Sequence, residues 1–409
     1  MEADAILAFL VALVAAAALT PVAARVARRV GAVHRVTERG LAREPTPLLG
    51  GLAILAGVVL AAVLFLPLTE RALWILAAAG LITVVGLIDD VRDLPPTAKL
   101  TGQVAAALIC VLAGVRVGNI TLPLVGAINF GDLGGPLTLL GLVFVMNVVN
   151  FSDGVDGLAA GVCAISAAAF SIIAFDLAKG SAGVLAAIVA GAALGFLVHN
   201  FHPASVFMGD AGSNLLGLLL GAAIVEGSLK TNALVALIVP LIVLAVPFLD
   251  TGFVVAKRIK YRRPVYRADS NHFHHRFHRI GFSQRRTVLY LYAWTLTMAS
   301  LAVLLRFVPY SDNQGRLLLA GSVVMAACFV VALAASVYLV YLLEIVKLRR
   351  LRAWQLRRLD PATSEHEIDA EVERELETGE FPAVPAAAPE PAARPPAAEE
   401  RRAEPSRPG

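Results

Sequence analysis

The chain has 409 residues, of which 58% are hydrophobic and 16% are charged, and its formal net charge is +4. Soluble globular proteins are nearer half apolar and a quarter charged. The composition therefore excludes an ordinary soluble enzyme and predicts an all-α, polytopic membrane protein. The three cysteines lie in separate apolar runs, where we expect them to pack and not to form disulfides or bind metal.

About eleven apolar segments follow one another, each near the length that a helix needs to cross a bilayer. They are 4–24, 48–67, 71–88, 98–117, 134–150, 157–177, 182–199, 212–227, 232–256, 287–308 and 317–343. Basic residues gather after the first segment and in the loop 257–286, whereas the loops of the other side carry single basic residues. This asymmetry predicts about eleven spans, with the N-terminus outside and the C-terminus in the cytoplasm.

Composition divides the chain into three parts. Residues 1–346 are predicted to form a transmembrane catalytic domain that includes the cytoplasmic loop 257–286. Residues 347–359 are basic and amphipathic, which favours a juxtamembrane helix against anionic headgroups. Residues 360–409 are rich in Pro, Ala, Glu and Arg and cannot bury a core, so we expect a disordered cytoplasmic tail.

Acidic residues end the third apolar segment. Asp89 and Asp90 come shortly before Pro95 and Pro96, which prevent the helix from continuing. Such carboxylates could hold Mg²⁺ together with water and substrate phosphate oxygens. Alternatively, these acids only mark the solvated end of a helix among the lipid headgroups and bind no metal. Lys99 follows as either an interfacial lysine that snorkels or a phosphate contact.

A more specific polar pattern lies between the fifth and sixth segments. Asn147, Asn150, Asp153 and Asp156 recur at every third residue, and in a helix they would form one polar stripe. A loop that only joins two spans would not need two asparagines inside the apolar run before it. The pattern therefore favours a functional site over a connecting loop.

A third cluster precedes the eighth segment. Asp210 stands before a run of small residues that opens a helix, where backbone amides favour anions. Asp210 could instead hold a metal ion that bridges such anions to the protein. Phe207 could stack on a nucleobase, although packing is the commoner role for a single aromatic residue.

Half of the eight histidines lie within seven residues of the loop 257–286. The cluster includes His272, His274, His275 and Arg276. Zinc needs three or four ligands in fixed geometry, and no cysteine is near. His and Arg side chains more readily contact phosphate or diphosphate oxygens. A generic basic surface beside the membrane is the alternative.

Five sequence blocks in this order resemble the polyprenyl-phosphate N-acetylhexosamine-1-phosphate transferases, which are related to phospho-N-acetylmuramoyl-pentapeptide transferases. The blocks are 45–51, 89–90, 150–157, 207–212 and 272–276. The resemblance implies transfer of a sugar 1-phosphate from a UDP-N-acetylhexosamine to polyprenyl phosphate, with release of UMP. This is the first lipid-linked step of a cell-envelope polysaccharide. His274-His275-Arg276 is more similar to the N-acetylglucosamine branch than to the muramoyl-pentapeptide branch.

The resemblance also implies roles for individual residues. The expected catalytic residues are Asp89, Asp90, Asp153, Asp156, His274 and His275. The expected substrate-binding residues are Lys99, Asn150, Phe207, His272 and Arg276. The expected ligands of Mg²⁺, for which Mn²⁺ could substitute, are Asp210 and Asp153.

A soluble nucleotide sugar and a lipid-anchored acceptor imply an active site on the cytoplasmic face of the cell membrane. The bilayer is an expected partner, nucleic acid is not, and a homodimer is left open. Direct attack by the lipid phosphate and an aspartyl-phosphate intermediate are both open. The rival function from another class is a cation transporter, although transporters usually place their acids near the bilayer midplane.

Overall fold

The computed structural model describes residues 2–34, 46–122, 126–227, 283–308 and 319–342. Within these ranges the chain forms ten α-helices and four short strands. The helices are α1 (Glu2–Val30), α2 (Gly50–Phe65), α3 (Glu70–Arg92), α4 (Pro96–Leu112), α5 (Gly134–Ser152), α6 (Leu158–Asp176), α7 (Gly180–Asn200), α8 (Gly209–Glu226), α9 (Gln284–Phe307) and α10 (Leu319–Leu342). Each coincides with one predicted apolar segment, and the remaining segment, 232–256, lies outside the described residues.

The described helices confirm a mainly helical, multi-pass membrane protein. Six of them contain a stretch that is long and apolar enough to cross a bilayer, namely α1, α3, α5, α6, α7 and α9. The apolar stretches of α2, α4 and α10 are shorter than 18 residues. The total of eleven spans and the sides on which the termini lie stay predictions.

Two pairs of short strands depart from the all-α prediction. β1 (Val33–His34) pairs antiparallel with β2 (Thr46–Pro47), and β3 (Asn119–Leu122) pairs antiparallel with β4 (Gly126–Asn129). Both pairs lie between helices, in connections that composition alone marks only as polar or mixed. The first pair matters for the site, because it carries part of the block 45–51.

The first helix is longer than predicted. The apolar run ends at residue 24, but α1 continues to Val30 and includes Arg28 and Arg29 in its last turn. Alanine and arginine are strong helix formers, and basic residues are favourable near the negative end of the helix dipole. The basic residues assigned to the first loop therefore lie partly on a helix that leads directly into β1.

Small residues let α1 and α7 pack closely. The buried side chains of α1 are alanines with the single exception of Thr20. On α7, an added Cβ at Gly191 or Gly195 would lie 2.2 Å from the backbone oxygen of Phe9 or Leu13, respectively. Small residues one turn apart are typical of helix pairs that approach closely within a membrane.

Helix α8 is enclosed by the bundle and supports the polar end of the molecule. Every residue from Ala211 to Ile224 is buried. Helices α2, α3, α5 and α7 pack against it. The N-terminus of α8 meets the C-termini of α3 and α5 and the N-terminus of α4, so the polar clusters predicted from sequence come together at one end of the bundle.

The α1–α7 contact generates a stability prediction. Gly195→Ala should lower the free energy of unfolding by roughly 1–3 kcal/mol, because the added methyl group has no space beside the Leu13 carbonyl. Thermal unfolding in detergent measures the change. Gly80→Ala is the matched control, since an added Cβ there meets nothing within 4 Å. Equal melting temperatures for the two variants would contradict the close packing.

Candidate active site

Lys99, in the first turn of α4, joins carboxylates from two other helices. Its Nζ lies 2.5 Å from Asp89 Oδ2 at the end of α3 and 3.1 Å from Asp210 Oδ2 at the start of α8. Asp89 is 5% exposed, and its Oδ1 accepts a hydrogen bond from the Leu94 amide at 2.7 Å. The lysine therefore turns toward the acidic cluster, and its predicted contact with a substrate phosphate stays a prediction.

Both carboxylate oxygens of Asp210 have defined partners. Oδ2 faces Lys99, and Oδ1 accepts a hydrogen bond from Asn150 Nδ2 at 2.9 Å. The same Asn150 amide lies 2.9 Å from the hydroxyl of Ser213, one turn further along α8. Three helices thus set the orientation of this carboxylate, which is the residue predicted to bind the metal.

Asp90 holds the first turn of α8. Its Oδ1 accepts from the Asp210 amide at 2.7 Å, and its Oδ2 accepts from the Ala211 amide at 3.3 Å. Amides at a helix start lack partners within the helix, and a negative charge is favourable there. Gly209 has a φ of +69°, and a Cβ at that position would lie 2.3 Å from Asp90 Oδ2. Both oxygens of this predicted catalytic residue are thus engaged in positioning α8.

Asp156 holds the loop between α7 and α8. Its Oδ2 lies 2.7 Å from His202 Nδ1 and accepts from the Ala204 amide at 3.1 Å. The carbonyl oxygen of His202 in turn accepts from Arg285 Nε at 2.8 Å. Asp156, another predicted catalytic residue, therefore contacts the loop that leads to Phe207.

The predicted polar stripe is interrupted after Asp153. Helix α5 ends at Ser152 and α6 begins at Leu158, so Asn147 and Asn150 share the helix whereas Asp156 lies in the turn beyond it. Gly157 has a φ of +79°, which breaks the helical path before α6. The spacing of three residues therefore predicted proximity to the site correctly but not one continuous helical face.

Asp153 lies where negative charge accumulates. Burial, and then the charges of Asp90, Asp210 and Asp156, raise the pKa of the Asp153 carboxyl well above its usual range. Desolvation and nearby like charges both disfavour an ionised carboxylate. A cation at this position would relieve the same repulsion.

Phe207 is tied to the strands that follow α1. Its amide donates to the Pro47 carbonyl at 2.8 Å, and its carbonyl accepts from the Gly50 amide at 3.1 Å. The His34 and Phe207 rings lie edge to face, with centroids 5.9 Å apart. The blocks 45–51 and 207–212, distant in sequence, are therefore neighbours at the same end of the bundle.

The structure brings eight predicted site residues to this end: Asp89, Asp90, Lys99, Asn150, Asp153, Asp156, Phe207 and Asp210. The other four, His272, His274, His275 and Arg276, lie outside the described residues. Three further residues, for which no role was predicted, form hydrogen bonds beside Asp210: Gln103, Ser213 and Asn214. The only sequence signal for them is that Gln103 lies one turn from Lys99 and Asn214 one turn from Asp210.

The donor set is suited to Mg²⁺. Among the described residues, no group of three His, Cys, Asp or Glu side chains forms a complete metal site by itself. Mg²⁺ usually takes only one or two carboxylates and keeps water and substrate phosphate oxygens as its other ligands. Asp210 already pairs with one cationic group, the Lys99 ammonium, and its charge interacts unfavourably with that of Asp153, so a cation bound by these two carboxylates would be favourable.

Residues 72–228 match a family described as glycosyl transferase family 4. The chain is 34% identical over 303 residues to a probable undecaprenyl-phosphate N-acetylglucosaminyl 1-phosphate transferase of Bacillus subtilis, a match that covers 74% of this chain and 85% of that protein. It is 39% identical over 297 residues to a decaprenyl-phosphate N-acetylglucosaminephosphotransferase of Mycolicibacterium smegmatis, with coverages of 65% and 73%. A phospho-N-acetylmuramoyl-pentapeptide-transferase of Moorella thermoacetica is 35% identical over 277 residues, with coverages of 63% and 84%.

The raised pKa of Asp153 generates a pH prediction. Below the unfolded-state pKa of about 4, the Asp153 carboxyl is protonated in both the folded and the unfolded protein. Above that pH the unfolded protein loses this proton more readily than the folded protein, so the free energy of unfolding falls. Asp153→Asn should therefore raise the melting temperature near pH 8 in chelator-containing buffer, and this gain should shrink as the pH approaches about 4. Each unit of pKa difference corresponds to about 1.4 kcal/mol. Thermal unfolding in detergent across this range measures the change.

Asp132→Asn is the control for the loss of one negative charge, because Asp132 is exposed at the opposite end of α5. A gain for Asp153→Asn that stays constant from pH 4 to pH 8 would contradict the charge-crowding account.

Proposed function

The chain belongs to glycosyl transferase family 4, and we propose that it transfers N-acetylglucosamine 1-phosphate from UDP-N-acetylglucosamine to a polyprenyl phosphate. An oxygen of the lipid phosphate attacks the sugar-bearing phosphorus, and the bond from that phosphorus to the bridging oxygen breaks. UMP leaves with the bridging oxygen, and the product is a polyprenyl diphosphate sugar. The names of the Bacillus and Mycolicibacterium relatives support this reaction class for the present chain.

The observation that carries the proposal is the convergence of Asp89, Lys99 and Asp210 at the end of an apolar bundle. A site at this position can meet a soluble nucleotide and a lipid-anchored phosphate at once. Both substrates are anionic, so the acids alone would repel them. Asp210 and Asp153 would hold Mg²⁺, which when bound supplies positive charge that screens the two phosphates and stabilises the departing UMP.

Lys99 and Asp89 would orient the reacting phosphates. The Lys99 side chain is 38% exposed and its ammonium is already held between two carboxylates, so it can donate to a phosphate oxygen with little rearrangement. The second pKa of a phosphomonoester is near ~6, and the lipid phosphate is therefore mostly dianionic at neutral pH. Asp89 needs only to position this nucleophile or accept a residual proton, which favours direct displacement over an aspartyl-phosphate intermediate.

The remaining predicted residues divide into two groups. Asn150 orients Asp210, and Phe207 would lie beside the nucleobase at the rim formed with the strands that follow α1. Asp90 and Asp156 contribute by holding α8 and the loop before it. We propose that His272, His274, His275 and Arg276 add positive charge to the diphosphate site.

The reaction is tested by purified full-length protein in lipid nanodiscs with Mg²⁺ and polyprenyl phosphate. UDP-N-acetylglucosamine, UDP-N-acetylgalactosamine and UDP-N-acetylmuramoyl-pentapeptide are offered separately. We expect UMP release with the first donor and a lipid product whose mass matches polyprenyl diphosphate N-acetylglucosamine. Asp210→Asn should lower the rate on the order of 100-fold by removing a ligand and a fixed charge.

Asp132→Asn is the matched carboxylate control and should retain the wild-type rate. Product formed only from the muramoyl-pentapeptide donor would move the enzyme to the related branch. Cation flux in liposomes without nucleotide, together with no lipid product from any donor, would establish the transporter instead.

We also propose that the site faces the cytoplasm and that the N-terminus of an eleven-span chain lies outside. Basic residues support this orientation, because Arg28 and Arg29 end α1 on the side of the site. Nucleotide sugars are made in the cytoplasm, which also favours a site on the cytoplasmic face. The bilayer surrounds the helices, whose outward-facing side chains include many exposed large hydrophobic residues.

The orientation is tested by labelling with a membrane-impermeant maleimide. Arg92→Cys places a thiol at the site end of α3, and Asp132→Cys places one at the opposite end of α5; both positions are exposed. In a Cys328→Ala background, Asp132→Cys should label in intact cells and Arg92→Cys only after lysis. Cys110 and Cys163 are buried and serve as internal blanks. The reverse labelling pattern would place the site outside.

A further inference from the structure

A row of amide side chains, two of them buried and one half-buried, lies beside Asp210. Asn147 Nδ2 on α5 donates to Gln103 Oε1 on α4 at 2.8 Å, and Gln103 Nε2 donates to Asn214 Oδ1 on α8 at 2.8 Å. Asn214 Nδ2 then donates to the backbone carbonyl of Asp210 at 2.8 Å. Gln103 and Asn214 are each only 5% exposed. Three helices are therefore linked by one directed row of hydrogen bonds, which we call the amide relay.

The amide relay carries a cost in desolvation free energy that apolar packing of the bundle would avoid. A buried amide loses its bonds to water and must regain each of them from protein groups. Leucine would fill the same space without that requirement. Polar side chains do join helices within membranes, so helix association is the competing explanation. The relay differs from simple helix association in where it joins α8: Gln103 of α4 contacts Asn214, whose side chain also bonds the Asp210 carbonyl one turn earlier.

Asp90 and Asn214 both contact the first turn of α8. Asp90, on α3, accepts hydrogen bonds from the amides of Asp210 and Ala211. Asn214, four residues after Asp210 on α8 itself, donates to the Asp210 carbonyl and accepts from Gln103 on α4. The Asp210 carboxylate faces Lys99 and Asn150, which also come from α4 and α5. The relay therefore fixes α4 and α5 against the residue that their own side chains must meet.

We propose that Gln103 and Asn214 are positioning residues of the transfer reaction, which hold Asp210 at the correct distance from Lys99 and Asn150. The inference rests on the proposed function, because its readout is the rate of that reaction. Both side chains are 5% exposed, so we place neither in contact with the substrates. Their loss should lower kcat for the transfer, while KM for UDP-N-acetylglucosamine, which depends on groups nearer the rim, changes little.

Gln103 offers a test that depends on the direction of the hydrogen bonds. Its side chain must accept from Asn147 and donate to Asn214 at the same time. An ionised glutamate can accept but cannot donate, whereas a neutral glutamate can do both. In Gln103→Glu, lowering the pH restores the missing donor, because burial raises the pKa of a carboxyl group.

The experiment compares Gln103→Leu, Gln103→Glu and wild-type protein in the nanodisc assay. Gln103→Leu should lower kcat roughly 10-fold, the usual lower range for residues that orient a ligand-binding side chain. The ratio of the Gln103→Glu rate to the wild-type rate should rise several-fold between about pH 8.5 and about pH 6.5. Effects of pH on groups that both proteins share cancel in this ratio.

Thr83→Val is the matched control. Thr83 is fully buried on α3, and its hydroxyl donates to the Ala79 carbonyl of its own helix, so the variant removes a buried polar group without touching the relay. We expect kcat within about 2-fold of the wild type, since such bonds are local to one helix. Melting temperatures of all variants are measured in parallel.

Three outcomes would overturn the inference. If Gln103→Leu has a lower melting temperature but the same kcat as Thr83→Val, the amides serve only helix association. A rate ratio for Gln103→Glu that does not change with pH would also contradict a positioning role. This second measurement is the deciding one if Gln103→Leu fails to fold. A wild-type protein inactive with every donor would overturn the proposed function itself, and the inference with it.

Discussion

The site depends on keeping several carboxylates side by side at the end of an apolar helix bundle. Like charges in a medium of low polarity repel strongly, and each must find a cation, an amide or a proton. The structure gives Asp89 and Asp210 a shared ammonium, Asp90 two helix amides, and Asp153 a raised pKa. The positions of α3, α4, α5 and α8 can be understood as the arrangement that supplies these partners.

That arrangement requires close backbone contact, which small residues provide. An added Cβ at Gly86 would lie 2.4 Å from the Ala211 backbone, and one at Gly51 would lie 2.4 Å from the Gly212 amide. Helices α2 and α3 therefore approach the first turn of α8 too closely for any larger side chain. On α3, Gly86 lies one turn before Asp90, so the close approach at the glycine accompanies the hydrogen bonds from the α8 amides to the Asp90 carboxylate.

The sequence predicted the helices well because apolar length is a local property that each segment carries by itself. It singled out eight residues that the structure brings to one end of the bundle, because acids and amides are conspicuous in an apolar chain. It did not predict the partners of Asp90 and Asp156, because contacts with Ala211 or His202 depend on how distant helices pack. Gln103 was missed as well, since a single glutamine near a helix start carries no signal until its neighbours are known.

These contacts separate acids that build the site from acids that can take part in chemistry. Asp90 and Asp156 each accept backbone amides, so moving either would release α8 or the loop before it. Asp210 Oδ2 and Asp89 Oδ2 share a lysine side chain, a partner that can exchange for a phosphate or a metal, while Asp89 Oδ1 keeps its hydrogen bond to the Leu94 amide. An ion pathway does not require some acids to hold the backbone and others to face the ion, since each acid along it must bind and release the ion in turn. A stationary site for a cation and a diphosphate needs both kinds of acid.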